Sequence, residues 1–254
     1  MPSFRLLAPA LFALALCGAP AASAQSFSDT QKGDIEAIIK NYLVSHPEVL
    51  EEAMGELSKR QAADEAAKHE ASVAKNADEI FNSPRGVVLG NKDGDVTFVE
   101  FFDYNCGYCK RAMADMLDLL KNDPKLKVVL KEFPVLSEGS VEAAKVAVAV
   151  RMQDPTGKKY LDFHQKLLGG RGPADKARAM AAAKDAGLDM ARIEKDLASP
   201  EVKSTIEENF KLAEDMGLNG TPSYVIGKQI VVGAVGLDGL KEKIGMARCG
   251  KATC

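Results

Sequence analysis

The sequence predicts an α/β fold in which a helical segment interrupts the central sheet and a helical arm precedes it. Three observations support this prediction. Strand-like runs flank one helical pattern between residues 87 and 133, residues 140–217 are helical in pattern throughout, and strand-like runs return at 224–232. Ahead of these, residues 29–77 are rich in Ala, Glu and Lys and almost free of Gly, a composition that favours helix.

The first 24 residues have the pattern of a secretory signal peptide. Arg5 precedes an apolar run from Leu6 to Leu16, and Ala22-Ser23-Ala24 is a small-x-small cleavage site. The run is shorter than the roughly 20 apolar residues that a membrane-spanning helix needs. We therefore expect cleavage after Ala24 and export to the periplasm. The alternative, a lipoprotein anchored through Cys17, is disfavoured because the bulky Leu16 precedes that cysteine.

Residues 25–82 form the predicted helical arm and linker. His46-Pro47 divides the arm, since the residue before proline avoids the helical region and Pro47 suits the first turn of a new helix. Ser58 to Lys75 has almost no large apolar side chain, so we predict a solvated stalk there. Earlier apolar residues recur at helical spacing, which favours a homo-oligomer, dimer or trimer, over packing on the same chain: Ile35, Ile38, Ile39, Tyr42, Leu43, Val49, Leu50 and Leu57.

Residues 83–138 supply the first part of the predicted sheet domain. Val87–Leu89 and Val96–Phe102 are strand-like and are joined through Asp93-Gly94, so we predict a hairpin between them. A helix from Cys106 to Leu120 and a strand from Lys127 to Phe133 then complete a βαβ unit with parallel pairing.

Residues 139–217 predict an inserted helical domain, and residues 218–254 return to the sheet. Strands are expected at Tyr224–Ile226 and Gln229–Val232, separated by Gly227-Lys228, with a final helix near Leu237–Met246. The inserted helices are expected at 141–152, 158–168, 174–186, 190–197 and 200–216.

Cys106-Gly107-Tyr108-Cys109 lies where a strand ends and a helix begins. Helix N–H groups favour a thiolate, so Cys106 is the predicted nucleophile and Cys109 the resolving cysteine. Half of a zinc site has the same spacing, but the remaining cysteines and histidines do not supply a second half. We therefore expect no metal and no cofactor beyond the redox-active pair.

The run from Phe98 to Cys109, the helical insertion and Gly220-Thr221-Pro222-Ser223-Tyr224 together resemble the DsbA family over about residues 85–246. The resemblance implies a thioredoxin fold and thiol–disulfide exchange on exported protein substrates, with a membrane or periplasmic redox partner. It also implies that Pro222 follows a cis peptide bond after Thr221 and faces the cysteine pair.

Glu100 and Lys131 are the further candidate site residues. Glu100 could be a solvent-facing residue of an alternating strand, but its strand is apolar on both sides, and a buried carboxylate has a raised pKa suited to proton transfer. Members of the family carry a buried acid at this position, which implies a proton-shuttle role. Lys131 resembles a lysine that partners this acid.

Gly107-Tyr108 departs from the Pro-His dipeptide of the strongly oxidising members and resembles the dipeptide of the isomerase DsbC. In the arm, Asn41-Tyr42-Leu43 and the segment from His46 to Leu50 resemble the ScsC proteins, which oligomerise through this region. These resemblances imply an oligomeric disulfide isomerase or reductase.

Cys249 and Cys254 are expected to form a structural disulfide; a second redox pair or a copper-binding pair is the alternative. Copper binding by thiolates, with Met113 and Met116 nearby, also defines the competing function of a periplasmic copper chaperone. Nucleic acid is disfavoured as a partner, since the net charge is −3 before the predicted loss of Arg5.

Overall fold

The computed structural model describes residues 27–254, so the predicted signal peptide lies outside the described residues. The chain divides into two compact units, and the second begins at Lys59. The strands are β1 (Val87–Gly90), β2 (Val96–Phe102), β3 (Leu126–Glu132), β4 (Ser223–Ile226) and β5 (Gln229–Val232). The helices are α1 (Asp29–Ser45), α2 (Pro47–Lys75), α3 (Ala77–Phe81), α4 (Gly107–Asn122), α5 (Glu138–Gln153), α6 (Lys158–Gly169), α7 (Lys176–Asp185), α8 (Met190–Leu197), α9 (Pro200–Asp215) and α10 (Gly236–Cys249).

The sheet has the order β1-β3-β2-β4-β5. The strands β2 and β3 are parallel and α4 connects them, which confirms the predicted βαβ unit. The hairpin of β4 and β5 is also confirmed. Five helices, α5 to α9, lie between β3 and β4 in the chain, as expected for a thioredoxin fold with a helical insertion.

The predicted hairpin of β1 and β2 is wrong, because β1 pairs antiparallel with β3. The connection between β1 and β2 forms a turn, but it crosses the end of β3: Asn91 and Asp95 each donate a backbone hydrogen bond to β3 or the residue before it, at 2.9 Å. A Cβ at Gly94 would lie 2.6 Å from the Lys125 carbonyl oxygen, so glycine permits this close crossing. The turn residues are therefore present as predicted, but they do not make β1 and β2 neighbours, because β3 lies between the two strands.

The two faces of the sheet bury different helices. Phe98 and Phe102 of β2 pack in a cluster with α4, α6 and α10. Val99 and Phe101, which alternate with them, pack on the other face with Leu212 and Met216 at the end of α9. A strand covered on both faces is apolar along its whole length, and this explains why β2 lacks a clear polar face.

The end of the arm differs from the predicted solvated stalk. The helix α2 is continuous from Pro47 to Lys75, and Val73 in its last turn is only 2% exposed, packed with Ile80 of α3 against the sheet. Ser72 donates a hydrogen bond from Oγ to the Asp215 carbonyl at 2.7 Å. One apolar residue at the right place thus anchors a helix end whose composition is otherwise polar.

No helix within residues 27–254 is long and apolar enough to cross a membrane.

Candidate active site

The cysteine pair lies at the junction of β2 and α4. Cys106 is the N-cap residue of α4, and its Sγ accepts a hydrogen bond from the Cys109 backbone N–H at 3.1 Å. Cys106 is 5% exposed, whereas Cys109 is fully buried one turn further along the helix. Only the first sulfur is therefore within reach of a substrate.

The two thiols have opposite electrostatic environments. The thiol of Cys109 hydrogen-bonds the Cys106 sulfur and, with helix N–H groups, lowers the pKa of Cys106 to about 6 against the opposing effect of burial. Burial raises the pKa of Cys109 well above its ordinary value, and the hydrogen bond that it gives to Cys106 raises it further. A group with a pKa about one unit below neutral pH is roughly nine-tenths ionised, so Cys106 is a thiolate when Cys109 is a thiol.

Thr221 and Pro222 lie opposite the pair. The peptide bond between them is cis, the geometry that the resemblance implied. The Cys106 thiol, when protonated, donates to the Thr221 carbonyl oxygen, 3.2 Å from Sγ. The segment is held in place because Gly233 donates a backbone hydrogen bond to the Pro222 carbonyl at 2.9 Å.

Glu100 lies beneath the cysteines on β2, and only 3% of its surface is exposed. Burial, together with the negative charges of Cys106 and Asp115, raises its pKa to about 8. Register places Glu100 beside Leu130 of β3 and Tyr224 of β4. An acid with this pKa takes up and releases protons near neutral pH.

The expected partnership of Lys131 with Glu100 is wrong. Lys131 is paired in register with Phe101, so its side chain lies on the opposite face of the sheet from Glu100. There its Nζ is 3.6 Å from Glu208 Oε1, and burial lowers its pKa. Lys131 therefore belongs to an ion-pair cluster with α9, away from the cysteines.

The dipeptide between the cysteines is exposed. Tyr108 is 60% exposed, and the Arg111 guanidinium lies 4.4 Å from the centre of its ring. Gly107 has open space where a Cβ would lie. Tyr108 and Arg111 thus place one aromatic ring and one cation on the surface near the reactive sulfur.

Asp103 and Asn105, which precede the cysteine pair, are site residues that the sequence analysis does not identify. Asp103 accepts backbone hydrogen bonds from Asn105 at 2.7 Å and from Leu136 at 2.9 Å. The Asn105 side chain bonds both the N–H and the carbonyl of Ala174, at 2.6 and 2.9 Å, which fastens the active-site turn to the helical insertion. The sequence does contain a signal for this role, because short polar side chains such as Asp and Asn just before a helix often bond the backbone of a turn.

Cys249 and Cys254 are joined in a disulfide with a Cα–Cα distance of 6.2 Å. Cys254 lies near Leu119 and Asn122, at the opposite end of α4 from Cys106. A helix of this length spans about 24 Å, so the disulfide is remote from the reactive pair. Within residues 27–254 no group of three or more His, Cys, Asp or Glu side chains is placed to hold a metal ion.

Two family models match the chain. The model described as DSBA-like thioredoxin domain matches residues 97–245, and the model described as Copper resistance protein ScsC N-terminal domain matches residues 31–64. The first match contains the cysteine pair and the cis proline, and the second contains all eight residues of the apolar stripe of the arm.

Solved structures agree with these matches. A thioredoxin-like oxidoreductase from Silicibacter pomeroyi is 43% identical, covers 67% of this chain and 96% of its own, and has a TM-score of 0.64. A linker-deletion mutant of ScsC from Proteus mirabilis is 29% identical, covers 89% of this chain and 98% of its own, and has a TM-score of 0.65.

Curated relatives are more distant. Disulfide bond formation protein D of Bacillus subtilis is 26% identical over 62% of this chain and 74% of its own length. Na(+)/H(+) antiporters of Salinispora arenicola and Herminiimonas arsenicoxydans also match, but the chain spans only 25% and 22% of their length. With the matches of both models and the two solved structures, the chain belongs to the DSBA-like thioredoxin domain family and carries an ScsC N-terminal domain on its arm.

Proposed function

We propose that the chain is a periplasmic thiol–disulfide oxidoreductase that acts on disulfides of exported proteins. The observation that carries the proposal is the asymmetry of the pair: Cys106 has a low pKa and faces Thr221, whereas Cys109 is buried with a raised pKa. Export is supported by the predicted signal peptide in residues 1–24. Exchange also requires a membrane or periplasmic redox partner that returns the pair to its working state.

Reduction of a substrate proceeds in two exchanges. The Cys106 thiolate attacks one sulfur of the substrate disulfide, forms a mixed disulfide and expels the other sulfur as a thiolate. The ionised form of Glu100 then takes the proton of Cys109, and the resulting thiolate attacks Cys106 Sγ. This step closes the Cys106–Cys109 disulfide and expels the remaining substrate sulfur as a thiolate, which releases the reduced substrate. Two electrons pass to the substrate, and the reverse sequence oxidises it.

Substitution of each cysteine separates these steps. Cys106→Ser should abolish reduction of a protein disulfide, because the attacking thiolate is gone. Cys109→Ser should keep the attack and accumulate mixed disulfides, which non-reducing gels and mass spectrometry detect. Wild-type activity of Cys106→Ser would refute the proposal.

Isomerisation by an oligomer is the specific form of the activity that we propose. Several apolar side chains of α1 and α2 are exposed in the chain, among them Ile38, Ile39, Tyr42, Leu50 and Leu57. Burying them between copies would hold several Cys106 sites around one scrambled substrate and raise the local concentration of thiolate. The match of the arm to the ScsC N-terminal domain supports this assembly.

Binding of Cu(I) is the second candidate function, supported by the description of the arm's family model as part of a copper resistance protein. Cys249 and Cys254 are bound to each other, so among the cysteines of residues 27–254 the free thiols are Cys106 and Cys109. Met116 is buried in the core and Met113 packs against it. Cu(I) titration of the reduced protein should lose its high-affinity site in a Cys106→Ser/Cys109→Ser variant and keep it in a Cys249→Ser/Cys254→Ser variant.

A further inference from the structure

A cleft of about 330 Å³ opens beside Cys106, between the start of α4 and the loop that joins α6 to α7. The side chains of Tyr104, Leu167 and Leu168 give it apolar surface. Gly170 and Gly172 line it from the loop side. The cleft has room for one or two side chains of a chain segment whose sulfur reacts with Cys106.

Lys110 lines this cleft, and two arginines neighbour lining residues in the chain. Lys110, one turn after Cys106, is exposed and donates from Nζ to the Gly170 carbonyl oxygen at 2.6 Å. Arg171 is exposed and lies in the chain between the two glycines that line the cleft. Arg111, the next residue of α4 after Lys110, lies over the ring of Tyr108.

None of the residues that line the cleft is acidic. The loop from Phe163 to Ala174 contains no Asp or Glu, and Asp175 accepts the Arg178 N–H at 2.9 Å as the cap of α7. Asp103 is buried and accepts two backbone hydrogen bonds. Asp162 pairs with Lys166. The lining of the cleft thus carries the charge of Lys110 and no carboxylate, and the N–H groups at the start of α4 add partial positive charge.

We propose that this basic cleft selects substrate segments in which an acidic side chain lies next to the reacting cysteine. A carboxylate there would approach Lys110 and Arg171 as the substrate sulfur meets Cys106, while a lysine in its place would be repelled. This inference rests on the proposed function and adds a substrate class to it.

The test uses the full chain with Cys109→Ser, which stops at the mixed disulfide, and three peptides that differ only in the residue after their single cysteine: Glu, Gln or Lys. Each peptide is disulfide-bonded to thionitrobenzoate. The Cys106 thiolate attacks the peptide sulfur, forms one new disulfide and expels one thionitrobenzoate, whose colour gives the rate. A unit charge near a cation at the surface changes a rate about threefold, so the Glu peptide should react about tenfold faster than the Lys peptide at low salt. The preference should shrink as salt is added.

Variants identify the source of the preference. Lys110→Gln and Arg171→Gln should each bring the Glu-to-Lys rate ratio towards one, and the ratio is insensitive to any change in the Cys106 thiolate fraction because all three peptides share it. Lys121→Gln removes the same charge from an exposed position at the far end of α4 and should keep the tenfold ratio. Equal rates for the three peptides, or an unchanged ratio in both cleft variants, would overturn the inference and leave the proposed function standing. A chain that releases thionitrobenzoate from none of the peptides would contradict the proposed function itself.

Discussion

At the scale of single residues, Cys106 and Cys109 have the same chemistry and opposite environments. Cys106 caps a helix and accepts hydrogen bonds that lower its pKa, whereas Cys109 is buried behind it and its pKa is raised. The sequence was sufficient for this assignment, because a cysteine pair between a strand and a helix has a predictable first and second member. It was also sufficient to expect Glu100 to be buried, since β2 is apolar on both sides.

The partner of Glu100 was beyond the sequence. Lys131 is a neighbour of Glu100 in the sheet only if the two strands pair in one particular register, and a shift of one residue moves a side chain to the other face. The observed register places Leu130 beside Glu100 and sends Lys131 to Glu208. No local pattern in either strand encodes that difference.

Glu100→Gln should stabilise the protein at neutral pH. Glu100 holds its proton in the folded chain up to a pKa of about 8, whereas the unfolded carboxyl releases it near the ordinary value of 4.5, so the native acid loses stability as pH rises between these values. The glutamine should therefore add about 3 kcal/mol to the free energy of unfolding at pH 7, and less than about 1 kcal/mol at pH 5. Urea unfolding at both pH values measures this; a gain that does not grow with pH would contradict the assigned pKa.

The same variant should slow the second exchange. Without the carboxyl, Cys109 lacks a nearby proton acceptor, and its attack on the mixed disulfide should fall by about 100-fold at neutral pH. Formation of the mixed disulfide by Cys106 should change much less. Single-turnover kinetics that show both steps slowed equally would argue that Glu100 has no role in proton transfer.

At the scale of elements, the regular βαβ unit and the hairpin of β4 and β5 followed from local patterns, because short turns and one connecting helix leave few alternatives. The position of β1 did not follow. Its turn to β2 has ordinary turn residues, and only the insertion of β3, some thirty residues later in the chain, separates the two strands. The packing of the last turn of α2 did not follow from composition either, because the single residue Val73 decides it.

Val73→Ala tests that packing. Removal of two methyl groups from a site that is 2% exposed should lower the free energy of unfolding by about 1–2 kcal/mol. Val44→Ala, in a helix where valine is 75% exposed, is the matched control and should change it by less than about 0.5 kcal/mol. Equal effects in urea unfolding would mean that the last turn of α2 does not pack on the sheet.

At the scale of the whole molecule, the chain carries a thioredoxin-fold domain and an arm that we propose associates with other copies. Deletion of residues 25–58 leaves the second compact unit, which begins at Lys59. We expect a monomer that still reduces small disulfides, because the cysteine pair is untouched, but that loses most of its activity in refolding a scrambled protein. Light scattering and a refolding assay measure the two properties.

A full-length variant provides the control for that deletion. Ile38→Lys with Ile39→Lys places charges at two exposed apolar positions of α1 and should also give a monomer. A wild-type chain that is already monomeric, or a deletion that remains oligomeric, would show that the apolar stripe does not join copies of the chain.

The assignment of Cys106 as the nucleophile is tested most directly by the pH dependence of alkylation of the reduced wild-type protein by iodoacetamide, with the modified residue identified by mass spectrometry. Only thiolate reacts, so we expect the label on Cys106 with a midpoint near its pKa of about 6, and we expect Cys109 to stay unlabelled in the native protein. A midpoint above about 8, the ordinary range of a cysteine thiol, or label that appears first on Cys109, would contradict the assignment of Cys106 as the nucleophile.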